Sequence, residues 1–302
     1  MIRRLLVVLS VVGVGVALAA CSGGAAGAGS ASGDDGVVRV VASTNVYGDI
    51  AKTIGGAHVA VTSIIDDPDK DPHEYQADAR TQLEISRADV VIENGGGYDD
   101  FVGTMLKAAK NTKALVIDAV QLSGRTGDDV NEHVWYDYPT MSKVVDAVAA
   151  SLHTADPEHA AAYATAAEKL QQQITGLESA EQALVPETTG VGAAITEPVP
   201  VYVLDALKMD VVTPPAFSKA IEDDTDVPPA VLHQTLAQYA DGSVKVLVYN
   251  VQTTGPQTEA VLAAAKKNGV PAVPVSETMP SGLHYVAWQQ GVLASIAEAV
   301  KS

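Results

Sequence analysis

Residues 156–185 read DPEHAAAYATAAEKLQQQITGLESAEQALV, and they decide the fold. Asp156 stands where a helix N-cap would, with Pro157 at the first helical position. The larger apolar residues that follow are Tyr163, Leu170, Ile174, Leu177 and Leu184. On a 3.6-residue period they fall on one stripe, with Gln and Glu elsewhere. At 1.5 Å per residue the predicted helix is about 40 Å long. A helix of that length in the middle of an alternating pattern of strands and helices reads as a rigid strut between two lobes. The expected organisation is a lobe over 37–155, the strut over 156–185 and a second lobe over 186–302.

On the N-terminal side, short β-branched runs at 37–43, 59–65, 88–92 and 114–117 predict four strands. Helical patterns separate them at 46–54, 77–86 and 98–110, and another lies at 140–152. Strands alternating with helices predict a parallel sheet. After Pro186 the pattern restarts, with strands at 191–196, 244–250 and 273–275. Helices are predicted at 230–240, 258–268 and 285–300. The fold class is therefore α/β: two lobes, each a parallel sheet flanked by helices, joined by one long helix with a cleft between them.

The chain opens Met1-Ile2-Arg3-Arg4, runs apolar to Ala20 and reaches its single cysteine at Cys21. A basic start, a short apolar stretch and small residues before the junction form a bacterial secretory signal. A lone Cys at that junction looks like a lipobox, in which the thiol is lipidated and becomes the new N-terminus. The leader, residues 1–20, is shorter than the ~20 apolar residues of a spanning helix. The mature chain is thus expected on the outer face of the cytoplasmic membrane, held by acyl chains at Cys21. Residues 21–36 carry no periodicity, and as a random coil they would reach about 20 Å. No second cysteine exists, so no intrachain disulfide can form. The formal net charge of −18 argues against nucleic acid and anionic lipid as partners. A monomer is expected.

Of seven histidines, two stand apart. His73 lies in Asp71-Pro72-His73-Glu74-Tyr75, after the second predicted strand. His133 lies in His133-Val134-Trp135-Tyr136-Asp137. Both sit where an open parallel sheet places ligands, beyond the carboxyl ends of strands. Neutral imidazole from two loops could share one transition metal; two surface histidines with hydrogen-bonding roles would read the same way. Asn94-Gly95-Gly96-Gly97 lacks the Lys and Ser/Thr of a phosphate loop and reads as a tight turn. Trp135 and Trp288 read as packing residues, and His58, His153, His159 and His233 as solvent-facing or capping.

These segments together resemble the zinc/manganese-type solute-binding lipoproteins of metal ABC importers. The resemblance rests on Val40-Val41-Ala42-Ser43, Gly48-Asp49-Ile50, Ile54-Gly55-Gly56, the DPHEYQ loop at 71–76 and the NGGGYD turn at 94–99. It continues through the HVWYD loop at 133–137 and Asp156 to Tyr163 at the start of the strut. It covers most of residues 37–302.

The resemblance implies a four-ligand metal site between the lobes. His73 and His133 would come from the first lobe. Glu197, in Ile195-Thr196-Glu197-Pro198, would be the third ligand and Glu277, in Val275-Ser276-Glu277-Thr278, the fourth. The family more often has Asp at the fourth place; His284 nearby is a fallback. The implied cargo is Zn²⁺ or Mn²⁺, delivered to an ABC transporter permease. Carboxylate donors lean towards Mn²⁺, while the Irving–Williams order favours Zn²⁺ at such a site. Because the ligands must be deprotonated, binding should weaken as pH falls through the histidine range.

Two rival functions are open. A His–carboxylate metal site could serve a metal-dependent hydrolase, but four protein ligands leave no open position, and no HExxH motif is present. No enzymatic activity is expected. The same fold could also serve as a surface adhesin or a metal-chelate binder. With two Phe, two Trp and no Arg cluster in the candidate loops, a bare ion fits better.

Overall fold

The structure, a computed structural model, describes residues 36–67, 75–76, 78–127 and 130–301. The leader, Cys21, the tether up to residue 35 and His73 lie outside the described residues. Among those described, no helix is long and apolar enough to cross a membrane. Residues 36–302 form one compact unit.

Two four-stranded sheets, all parallel, make its frame. The first holds β1 (Val38–Thr44), β2 (Val59–Ile65), β3 (Val90–Glu93) and β4 (Leu115–Asp118), in the order β2-β1-β3-β4. The second holds β5 (Gly192–Ile195), β6 (Asp210–Val211), β7 (Val246–Asn250) and β8 (Ala272–Val275), in the order β6-β5-β7-β8. The two halves therefore repeat one topology. Each reverses its winding direction at its first strand, and ligands in open parallel sheets collect beyond the strand C-termini at that point. Ser43, Thr44 and Asn94 end the first sheet's central strands, and Thr196, Glu197 and Asn250 end the second's; all six are buried.

The helices of the first half are α1 (Asn45–Gly55), α2 (Ala79–Arg87), α3 (Phe101–Ala109), α4 (Ala119–Ser123) and α5 (Tyr138–Ala155). The linking helix is α6 (Ala160–Thr188), followed by α7 (Val201–Ala206), α8 (Pro215–Glu222), α9 (Pro229–Ala240), α10 (Pro256–Lys267) and α11 (Tyr285–Lys301). Sequence reading missed α4, α7, α8 and the two-residue edge strand β6. These pieces are too short to display a period.

The long helix differs from expectation at both ends. Asp156 does not cap it. A 3-10 turn, Pro157–His159, comes first, and the Asp156 carboxylate accepts from the His159 ring at 2.7 Å and the Tyr163 hydroxyl at 2.6 Å. These bonds hold its carboxyl below the usual range. At the other end the helix runs through Pro186 to Thr188. Proline removes one amide donor, but the Thr188 hydroxyl donates to the Leu184 carbonyl and the Thr189 amide to that of Val185. One further turn survives.

The predicted stripe is the buried face. Tyr163, Leu170, Ile174 and Leu177 are at most 3% exposed, and Leu184 packs partly buried. They join a single core that also takes in Ile50 of α1, Val148 of α5, Val248 of β7 and Ile296 of α11. The strut is thus glued into both halves along its length.

One member of the stripe is charged by type. Glu181 is buried, and burial, reinforced by the carboxylates of Glu178 and Asp137, raises its carboxyl from 4.5 to about 8. The folded state then keeps a proton that the unfolded chain releases. The resulting stability is fully present below pH 4.5 and is lost as pH rises through about 8. Glu181→Gln, which keeps the neutral shape, should match the wild type in acid. At pH 9 it should exceed it by about 1–3 kcal/mol, allowing for solvent screening. Urea melts across that range test this. Glu93, raised to about 7 chiefly by burial, titrates in both proteins and cancels from the difference.

Candidate metal centre

His133 follows Asn131 in the loop entering the 3-10 turn Val134–Tyr136. Its ring is fully buried. The Asn131 side-chain oxygen accepts from the His133 amide at 3.1 Å and lies 2.7 Å from His133 Nδ1. The Asn131 amide nitrogen donates to the Pro198 carbonyl at 2.9 Å, which settles which end of that amide is oxygen. Nδ1 therefore carries the proton. In the neutral ring Nε2 is then the lone-pair nitrogen, the tautomer a metal ligand needs. The same Asn131 ties this loop to the residue after Glu197, and the Tyr202 hydroxyl donates to the Asn131 carbonyl at 2.5 Å.

Glu197 leaves β5 and is 2% exposed. The turn that carries it is anchored by Thr196, whose hydroxyl accepts the Asn250 amide at 3.0 Å. Glu277 follows β8 and is fully buried. Its carboxylate accepts from the Asn250 side chain at 2.8 Å, and its own amide donates to Gln252 Oε1 at 2.6 Å. The C-terminal ends of β5, β7 and β8 are thus stitched into one platform.

Tyr98 links the two halves at this point. Its ring centroid lies 6.3 Å from that of His133 and 5.2 Å from that of Trp135. Burial pushes its phenol well above its ordinary range, and the hydrogen-bonded Glu277 carboxylate adds to the shift. Beside it, the Tyr136 hydroxyl donates to the Ser276 carbonyl at 2.9 Å, and the Tyr285 hydroxyl to that of Trp135 at 2.8 Å. Asn45 bonds both the carbonyl and the amide of Met279 at 2.8 Å. Trp135 and Trp288 are both buried as packing residues.

The NGGG turn is a structural device. The Asp99 carboxylate accepts the Asn94 amide at 2.6 Å and the Gly95 amide at 2.8 Å. Those donors are taken by the protein's own anion. Gly95 has φ +77°, and a Cβ there would meet Asp118 Oδ1 at 2.3 Å, so glycine is required twice over.

Of the expected ligands, His133, Glu197 and Glu277 are all buried, Glu197 after β5 and Glu277 after β8, and His73 lies outside the described residues. His284 is exposed, its ring 2.7 Å from Asp49 Oδ1; that bond raises its pKa. Its contact is with α1, not with this buried group. His58 and His159 stack on one another with ring centroids 3.6 Å apart. His153 and His233 are exposed.

Sequence reading missed Glu222, the last residue of α8. Its carboxylate lies 3.6 Å from His133 Nε2. Glu132, His133 and Glu222 each offer a ligand atom, all within 4.8 Å of one another. In sequence Glu222 opens the acidic run Glu222-Asp223-Asp224, which carries no signal that one member turns inward. The donor set here is imidazole and carboxylate, the chemistry of a borderline or hard divalent cation.

The model of the family described as zinc-uptake complex component A, periplasmic (ZnuA) matches residues 40–299. The manganese-binding lipoprotein MntA of Bacillus subtilis (strain 168) is 30% identical over 164 residues, 51% of this chain and 53% of that protein. The chain thus spans about half the length of the curated relatives it matches. Two solved structures share the fold. The periplasmic zinc-binding protein TroA of Treponema pallidum has a TM-score of 0.72 at 21% identity, over 88% of this chain and 99% of that one. The solute-binding protein FpvC of P. aeruginosa, solved with Ni²⁺, has a TM-score of 0.72 at 22% identity, over 88% and 97%.

Proposed function

The chain belongs to the zinc-uptake complex component A family, and from that premise we propose that it is a metal-capturing lipoprotein. It would bind Zn²⁺ or Mn²⁺ outside the cytoplasmic membrane and hand the ion to an ABC transporter permease. The observation that supports this reading is the buried His133 ring with ligand atoms of Glu132 and Glu222 within 4.8 Å of one another; buried Glu197 and Glu277, which follow β5 and β8, are proposed to complete the site. With His73 and His133 they make the proposed four-ligand set. The metal is cargo here, so the ligands must hold it and also release it. Two carboxylates and two imidazoles, supplied from both sides of the cleft, couple binding to the packing of the two halves.

Cys21 is proposed as the lipidation site after removal of residues 1–20, with the segment to residue 36 as a tether. Two lobes joined by the linking helix Ala160–Thr188, and a monomeric chain, are part of the same proposal. The family role is capture for transport rather than turnover, and no observation favours the hydrolase, adhesin or chelate-binding readings.

The full chain, purified in detergent and stripped with a chelator, is expected to take up one equivalent of Zn²⁺ or Mn²⁺. Calorimetric titration near neutral pH measures it, with affinity falling as pH drops through about 6.5. A protein that takes up neither ion is not a metal carrier.

A further inference from the structure

We infer that Glu222 is an additional ligand of this site and the residue that turns its selectivity towards Mn²⁺; the inference rests on the metal-capture reading above. The separation of 3.6 Å between Glu222 Oε1 and His133 Nε2 is too long for a good hydrogen bond. It approaches the edge of a coordination polyhedron. Two donors each about 2.1 Å from one ion sit about 3.0 Å apart in an octahedron and about 3.4 Å apart in a tetrahedron. The two side chains come from opposite halves and are 0% and 12% exposed.

The local structure aims this one carboxylate inward. Pro214 and Pro215 start α8, and Phe217 and Ile221 fix its buried face in the core of the second half. Asp223 faces outward, paired with Lys219 at 2.9 Å. Asp224 takes a left-handed conformation at φ 51°, and the Thr225 amide returns to the Ala220 carbonyl at 2.8 Å. The helix therefore stops at Glu222 with its carboxylate 3.6 Å from His133 Nε2 and the next four residues in solvent. Glu132 brings a second carboxylate within 4.8 Å of the same point. Two carboxylates so close favour a divalent cation between them.

Selectivity follows from donor count. Zn²⁺ is content with four ligands. Mn²⁺ prefers a larger, oxygen-rich shell. At His133 the carboxylates of Glu222 and Glu132 add hard oxygen to the imidazole and raise the number of donors within reach of one ion.

The test compares the full-length wild type in detergent with Glu222→Gln, which keeps the shape. Asp223→Asn removes one charge just outside the cleft as a control. Affinities for Mn²⁺ and Zn²⁺ are measured by competition with a chromogenic chelator, with circular dichroism to verify folding. Glu222→Gln is expected to weaken Mn²⁺ binding at least about tenfold and Zn²⁺ binding by less than about threefold. Asp223→Asn should leave both unchanged. If Glu222→Gln leaves both affinities unchanged, or lowers both by one factor, Glu222 is not the selecting ligand. An equal Mn²⁺ loss in Asp223→Asn would reduce the effect to long-range charge and overturn the assignment. These outcomes leave metal capture standing; a wild type that binds neither ion removes that reading and the inference with it.

Discussion

Replacing His133 by alanine is expected to weaken binding of both Zn²⁺ and Mn²⁺ by at least about a hundredfold. Losing a partner that merely orients a ligand commonly costs 10- to 100-fold, and losing the ligand itself should cost at least as much. Among the described residues no second imidazole joins the group at His133. His133 is the buried imidazole at the centre, and its usable nitrogen is fixed by Asn131, which is in turn fixed by the Pro198 carbonyl. His284, the fallback ligand, is engaged with Asp49 on the surface. Because His133→Ala leaves a void beside Trp135, Glu277→Gln serves as an independent check. Gln can still accept from Asn250 but is a poor metal ligand, so the platform survives while a charged donor is lost. Competition titration with a chelating dye reads both variants. Wild-type affinity in His133→Ala and in Glu277→Gln, each shown folded, would remove these residues from the site.

Trp135→Ala should destabilise the fold by about 3–5 kcal/mol, the range for deleting a large aromatic from a core. The side chain is fully buried. It packs edge-on against Tyr98 at 5.2 Å and against His133 at 5.1 Å, and tilted on Tyr136 at 6.4 Å between centroids. Those three neighbours lead to Glu277, the proposed metal and the Ser276 carbonyl. The cavity would therefore sit where the first half meets the second, with little room to collapse because the linking helix holds both sides. Trp135→Phe, which refills most of the volume, should lose less than half as much. Urea unfolding measures the difference, and a cost below about 1 kcal/mol for Trp135→Ala would mean this junction is not packed as described. Metal affinity is expected to fall as well, since His133 loses the wall behind its ring.

What could be read from the chain alone follows from how far each signal reaches. Helices and parallel strands announce themselves through residues a few positions apart, so β1, β2, α9 and α11 were legible almost to the residue. The stripe from Tyr163 to Leu184 was equally plain, because a helix face is written at 3.6-residue spacing. His133, Glu197 and Glu277 were legible for a different reason: their motifs resemble a known family's, and periodicity alone never pointed to the two glutamates. Pro186 misled because proline is a local stop signal, whereas the threonines after it and the packing of that end keep the helix going.

The sequence by itself determined the α/β alternation, the linking helix and the acidic, single-cysteine character of the chain. The tertiary structure alone decided the shared strand order of the two sheets, the proton that Asn131 holds on Nδ1 of His133, the burial of Glu181 and the approach of Glu222 to His133. The physical reason is range. Propensity, capping and amphipathic pattern act within a turn or two, whereas a carboxylate at the end of α8 meets an imidazole from the other half only when both sheets are packed on one helix. Until that packing exists, Glu222 is the first of three solvated acids, and nothing local distinguishes it from Asp223 and Asp224.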